Sequence, residues 1–152
     1  MNIEYNVETL DECLEEMKPL LLSHYEEVAM YQDKVKFNPD YDKYYALEAA
    51  EALHIVTVRE GNTLIGYFVS LIMPHMHYKD NNYAVNDILY IHEDYRKSKV
   101  GLDMFLFAEE CLKVQGVDVL CIHMKTAIPF DSLCEGLGYD YAERNYTKYI
   151  GD

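Results

Sequence analysis
The chain is 152 residues long, half of them apolar, and its 27 acidic and 13 basic side chains leave a formal charge of −14. Those figures exclude a disordered chain and predict a single domain over residues 1–152 with a sizeable core. The acidity argues against non-specific nucleic-acid binding and suits a cationic partner, an amine or a basic protein surface, though it serves solubility equally well.

In chain order, Ile3–Val7 alternates in polarity and reads as a first strand. Thr9-Leu10-Asp11-Glu12 fits a capping box, and Leu10, Leu14, Met17 and Leu21 give the following helix a buried stripe. Pro19 lies inside that stripe and should kink the helix or end its first part, with residues 20–31 continuing helical. Asn38-Pro39-Asp40 marks a loop, and residues 41–53 read as a second helix. Residues 54–59 and 64–73 are strands joined by the hairpin sequence Glu60-Gly61-Asn62-Thr63, with Pro74 stopping the second. Residues 75–82 read as a polar loop and 83–91 as the next strand. After a central helix come a strand at 117–124, a short helix at 129–135 punctuated by Gly136 and Gly138, and a final strand at 139–150.

No run of eighteen apolar residues occurs and the N-terminus lacks a basic-then-apolar pattern, so the expectation is a cytoplasmic protein with no membrane span. Cys13, Cys111, Cys121 and Cys134 are widely spaced, without a Cys-x-x-Cys pair, and read as reduced thiols rather than a zinc or disulfide framework.

The most informative stretch is Tyr95-Arg96-Lys97-Ser98-Lys99-Val100-Gly101, between the apolar run Ile88-Leu89-Tyr90-Ile91 and the stripe Leu102, Phe105, Leu106, Leu112. A strand that feeds a helix through a short basic loop leaves backbone N–H groups unpaired at the positive end of the helix dipole. Arg96, Lys97 and Lys99 add local positive charge to an acidic chain. The combination points to a phosphate-bearing ligand; a loop that merely caps its helix is the alternative.

Arg96-x-x-Lys99-x-Gly101 resembles the pyrophosphate loop of the GNAT superfamily of N-acetyltransferases, Arg/Gln-x-x-Gly-x-Gly/Ala, with Lys99 at the first glycine position. Leu64-Ile65-Gly66-Tyr67 is similar to the start of that family's third strand. Leu133-Cys134-Glu135-Gly136-Leu137-Gly138-Tyr139 is similar to its closing phrase, and the element order matches over nearly the whole chain. The resemblance implies an α+β fold, an α/β/α sandwich around a mixed, mainly antiparallel sheet whose fourth and fifth strands splay apart. It further implies acetyl-coenzyme A as cofactor, its pantetheine arm on Leu89, Tyr90 and Ile91 and its diphosphate held by Arg96, Lys97, Ser98, Lys99, Val100, Gly101 and Leu102. The implied reaction is direct acetyl transfer to a small-molecule or protein amine. Cys134 stands where the family often has a tyrosine that protonates the leaving thiolate; a thiol can do this, or can be a small core residue.

An amine must lose a proton before it attacks, so a base is needed. Asp87, close to where many family members place a carboxylate, lies among apolar neighbours and is one candidate. His123 is a second. His75 and His77 share a spacing, as do His123 and Lys125, that puts each pair on one side of an extended chain. Nothing else in the sequence supports a metal. Several phrases, among them Asn38-Pro39-Asp40-Tyr41 and Pro74-His75-Met76-His77-Tyr78, resemble a subgroup associated with bacteriophage and prophage genomes. That likeness makes Glu26, Asp40, Tyr41, His75, His77 and Lys125 candidates for the acceptor pocket, with fifteen tyrosines available as walls for a cation. The alternative function is a catalytically degenerate, acetyltransferase-like binding or phage particle-associated protein. A homodimer or a phage structural protein is then a candidate partner, and the virion a candidate location.

Overall fold
The computed structural model describes residues 2–152. A capping arrangement starts the first helix, the Glu12 carboxylate accepting from the Thr9 N–H at 3.2 Å and the Thr9 hydroxyl at 2.9 Å. The elements are β1 (Ile3–Val7), α1 (Leu10–Val28), α2 (Tyr41–Ala49), β2 (Leu53–Glu60), β3 (Thr63–His75), β4 (Tyr78–Ile91), a single 3-10 turn (Glu93–Tyr95), α3 (Val100–Val114), β5 (Val119–Cys121) and α4 (Asp131–Gly136). One sheet carries the strands in the order β1-β2-β3-β4-β5; β1 to β4 are antiparallel neighbours and β5 runs parallel to β4. The parallel step requires a crossover, which α3 supplies.

Each face of the sheet has its own core. On one, Leu10, Leu14, Met17 and Leu21 of α1 pack on Ile55, Tyr67, Val69 and Tyr90. On the other, Val100, Met104, Phe105 and Ala108 of α3 pack on Val56, Val58, Ile65 and Phe68, with Cys134 of α4 closing the layer. This is the α/β/α sandwich expected from the sequence. Gly66 of β3 pairs with Ile91 of β4, and a Cβ there would lie 2.8 Å from the Tyr90 carbonyl oxygen, so a bare backbone is what lets β4 approach.

Several boundaries differ from those read in the sequence, each for a local reason. α1 runs unbroken through Pro19. α2 stops at Ala49 rather than residue 53: Glu51 takes φ 58°, and Ala52 and Glu51 donate back to the Leu47 and Glu48 carbonyls, a Schellman closure built without glycine. Pro74 does not stop β3, which pairs on to His75. Ile72 donates toward β2, to the Ala52 carbonyl, so Pro74 two residues on turns its missing donor to the same side, beyond the end of β2. The expected polar loop at 75–82 is therefore a hairpin, with β4 beginning at Tyr78. β5 is three residues long, not eight.

The final strand expected at 139–150 is absent. That segment is irregular, with Tyr141, Tyr146 and Ile150 at least three-quarters exposed. It lies against the turn after α1, where the Tyr31 hydroxyl meets Thr147 at 3.2 Å and Lys34 sits 4.9 Å over the Tyr149 ring. A segment becomes a strand only where an edge receives it.

A charged cluster ties α1 to β2. Arg59 donates to both oxygens of Glu8 at 2.9 Å and to Glu16 at 3.0 Å, and the Thr57 hydroxyl also donates to Glu8. Burial alone would raise the Glu8 carboxyl, but the hydrogen bonds from Arg59 and Thr57 hold it below the ordinary carboxylate range. A depressed native value stabilises the fold above the unfolded carboxylate range, and that stabilisation disappears as pH falls through the native value. Comparing urea midpoints, Glu8→Gln should trail the wild type by about 2–3 kcal/mol at pH 7, with the gap narrowing toward pH 3. In a second melting series, Gly66→Ala should lose about 1–3 kcal/mol through displacement of the β4 backbone.

Candidate functional site
The site begins where β4 and β5 part. Their parallel pairing covers only Tyr83 to Val85 on β4. Immediately beyond, the β3–β4 register slips: Ser70 faces Asn86 and Val69 faces Ile88, so Asp87 is an extra residue bulged out of the ladder. Asn86 fills the start of the gap with its side chain, accepting from the His123 N–H at 2.6 Å and donating to the His123 carbonyl at 2.8 Å. From Ile88 onward, among the described residues, β4 has no strand on that side.

Backbone alternation then decides what the open edge offers. His92 donates to the Ile65 carbonyl on β3 at 2.8 Å, so the Tyr90 amide and carbonyl also face β3. Those of Leu89 and Ile91 face the gap. Of the three residues expected to line a cofactor arm, Leu89 and Ile91 turn backbone groups to the gap, while Tyr90 is buried and turns none.

The loop that follows leads into α3. α3 starts at Val100, and its first helical bond to a loop carbonyl runs from Asp103 to Lys99 at 2.9 Å. Among the described residues, the amides of Lys97, Ser98, Lys99, Gly101 and Leu102 meet no acceptor in hydrogen-bonding geometry, and that of Val100 reaches only the Ser98 hydroxyl at 3.3 Å. Lys97, Ser98 and Lys99 are exposed. Unpaired N–H groups at a helix start, with two free ammonium groups beside them, can receive an anion. A Cβ on Gly101 would meet only Leu133 at 3.9 Å, so this glycine leaves room rather than relieving a clash.

Arg96 behaves differently from its neighbours. Its guanidinium forms a two-pronged pair with Glu27 of α1 at 2.8 and 2.9 Å, its Nε donates to the Ile91 carbonyl at 2.7 Å, and it lies 5.4 Å over the Tyr90 ring. The Arg96 hydrogen bond outweighs burial and holds Glu27 below the usual carboxylate range. His24, one turn back on α1, stands 5.5 Å from Tyr90; burial lowers its imidazole, and Arg96 and Lys125 lower it further against the pull of Glu27.

Across this face Asp87 receives the hydroxyl of Tyr44, from α2. Burial and that hydrogen bond both raise the Tyr44 phenol. Tyr67 stacks on Tyr90 at 5.5 Å, fully buried, and its hydroxyl has no partner. Burial raises its phenol well above the ordinary range, with smaller contributions from Tyr90, Tyr44, Glu27 and Asp87.

The other sequence candidates scatter. Asp40 caps α2, accepting from the Lys43 N–H at 3.0 Å, and Tyr41 packs at the edge of the α1 core with Lys18 over its ring. Glu26 is exposed, its carbonyl taken by Gln32 at 3.2 Å. His75 and His77 lie at the β3–β4 hairpin, roughly 30 Å along the strand from Ile88, where the His75 ring accepts from the His77 N–H at 3.1 Å. His123 is held through its backbone, and Lys125 is exposed. Cys134 is 9% exposed within the α3 core, and burial, then Asp131 and Glu135, raise its thiol. No group of described residues is arranged to hold a metal ion. No helix among them is long and apolar enough to cross a membrane.

Sequence reasoning passed over His24, Glu27, Tyr44 and Tyr67. The signal for the first was the helical period itself: continuing the α1 stripe from Leu21 by three residues gives His24, and Glu27 lies one turn further on, beside it.

The model of the acetyltransferase (GNAT) family matches residues 14–129. No curated protein sequence matches the chain. Among solved structures, an aminoglycoside acetyltransferase from an uncultured soil metagenomic sample is similar over 99% of this chain and 100% of its own, with TM-score 0.77 and 14% identity. A ribosomal-protein-alanine N-acetyltransferase from Brucella melitensis biovar Abortus 2308 is similar over 98% and 99%, with TM-score 0.72 and 17% identity. A predicted acetyltransferase from Clostridium acetobutylicum, solved with acetyl-CoA, covers 97% of this chain and 96% of its own, with TM-score 0.71 and 13% identity. The split sheet, the donor loop at the start of α3 and the family match agree: this chain belongs to the GNAT family of acetyltransferases.

Proposed function
We propose that the protein transfers an acetyl group from acetyl-coenzyme A directly to a primary amine on a cationic small molecule or protein. The observation that carries this reading is the set of uncommitted amides on Lys97, Ser98, Lys99, Gly101 and Leu102 beside the gap-facing backbone of Leu89 and Ile91, which β5 does not pair. A diphosphate fits the first and an amide-bearing arm fits the second. Acetyl-coenzyme A, when bound, supplies the activated thioester carbonyl.

The chain's own groups do the rest. Leu89 and Ile91 fix the arm along β4, and Lys97 and Lys99 add charge to the amide cradle. The bulge turns Asp87 out of the ladder at the head of the gap, where it can take a proton from an incoming ammonium. Tyr44, donating to Asp87, fixes the direction of that carboxylate. A neutral amine is then free to attack. Cys134 carries a proton at neutral pH but is packed beneath α3, so its position favours a core role, with water protonating the leaving thiolate.

Calorimetric titration with acetyl-coenzyme A should give a binding isotherm, and the double change Lys97→Glu with Lys99→Glu should weaken it by about tenfold or more. An absence of heat and of any thermal shift would leave a binding protein of the same shape as the better reading. In a thiol-release assay over a panel of amines, Asp87→Asn should lower kcat/KM by about a hundredfold or more. Cys134→Ala, by contrast, should lower the melting temperature and leave turnover nearly intact.

A further inference from the structure
The Arg96 guanidinium is bound inward while Lys97 and Lys99 are exposed, and its surroundings have the make-up of a cation site. Both of its terminal nitrogens are matched by Glu27 at 2.8 and 2.9 Å, and the Tyr90 ring lies beneath it at 5.4 Å. The flanking His24 is kept neutral by burial and adds no competing charge. A carboxylate fork over an aromatic face is the chemistry that recognises a guanidinium or a substituted ammonium. The Glu27 side chain is 30% exposed and that of Arg96 29%, so the pair is reachable from solvent.

Arg96 also crosses the cofactor edge. Its Nε holds the Ile91 carbonyl, one of the gap-facing groups that an amide-bearing arm would use. With Nε held by Ile91 and both terminal nitrogens facing Glu27, only two outward N–H groups of Arg96 remain, so presenting its two-pronged face to a diphosphate on the adjoining loop means turning away from Glu27. We infer that Glu27 and Tyr90 form a subsite for a cationic group of the acceptor, which Arg96 fills in the arrangement seen here and yields when it turns to the diphosphate. This rests on the acetyl-coenzyme A reading above and deepens it.

Two consequences define the acceptor and the order of binding. The amine that attacks must be neutral, so the group held by Glu27 is a second centre, one that keeps its charge while the first is deprotonated. The acceptor class is therefore a diamine or a guanidino-amine rather than a simple monoamine. Because Arg96 occupies the subsite until the diphosphate draws it away, the cofactor binds first and the acceptor second.

The test is a pair of titrations on the full chain. Glu27→Gln releases Arg96, and coenzyme A should then bind roughly 3- to 10-fold tighter than to the wild type, a gain that general damage cannot mimic. With coenzyme A saturating, agmatine, a guanidino-amine, should bind the wild type and lose about tenfold or more in Glu27→Gln, while hexylamine is indifferent to the change. Coenzyme A binding to Glu27→Gln with equal or lower affinity overturns the exchange of Arg96 and leaves the acetyltransferase reading standing. Agmatine binding that is absent, unaffected by Glu27→Gln, or as tight without coenzyme A overturns the subsite. Coenzyme A binding to neither protein takes down both readings together. Glu27 lies on the last turn of α1 with its side chain part-exposed, and a melting curve on the variant checks that it folds.

Discussion

The arrangement of this protein depends on β4 losing one neighbour halfway along its length. From Tyr83 to Val85 the strand is paired on both sides; past the Asp87 bulge it keeps β3 and gives up β5. Unpaired strand edges in a sheet interior are normally unfavourable, because each buried amide or carbonyl without a partner costs as much as a lost hydrogen bond. Here the cost is contained. Asn86 takes both backbone groups of His123, so the two chains separate from a pinned point rather than fraying. Gly66 meanwhile holds β3 hard against Tyr90 and Ile91 on the other side. The gap is thus a fixed wedge with a rigid wall, and α3, crossing over it, delivers its free N–H groups to the mouth.

Charge is distributed with the same economy. The chain is strongly acidic, yet Lys97 and Lys99 stand exposed at the helix start, where the peptide dipole already favours an anion. Their neighbour Arg96 is bound inward to Glu27, and Arg59 is locked among Glu8, Glu16 and the Asn62 carbonyl. Two arginines join layers while two lysines face outward. That division follows side-chain chemistry: the planar fork of arginine matches a carboxylate, and the lysine ammonium remains a mobile point charge.

Much of the architecture was legible in the residues. The capping box, the α1 stripe, the Glu60–Thr63 hairpin and the basic loop before α3 are local signals whose meaning does not depend on the rest of the chain, and each appears in place. The misread boundaries share a cause of the opposite kind. Pro74 ends a strand only if its missing donor faces a partner, and that depends on where β2 stops. Residues 139–150 are rich in tyrosine, but local composition cannot report whether an edge is there to receive them as a strand. α2 ends on Glu51 in a left-handed conformation usually given to glycine, which no composition rule would flag. In the site, backbone roles were easier to anticipate than side-chain roles. The loop amides are fixed by the strand-to-helix break, whereas the direction of Arg96 is set by a carboxylate 69 residues away.

The long β3–β4 hairpin has a bearing on how copies of this molecule treat one another. Its outer portion extends past the end of β2, which leaves one flank of β3 as a bare margin of the kind that recruits foreign strands into aggregates. Pro74 sits on that margin with no hydrogen to offer, interrupting the ladder that an intruder would need to build. The residue that looked like a terminator thus works as a guard: it leaves the hairpin intact and makes its flank a poor template.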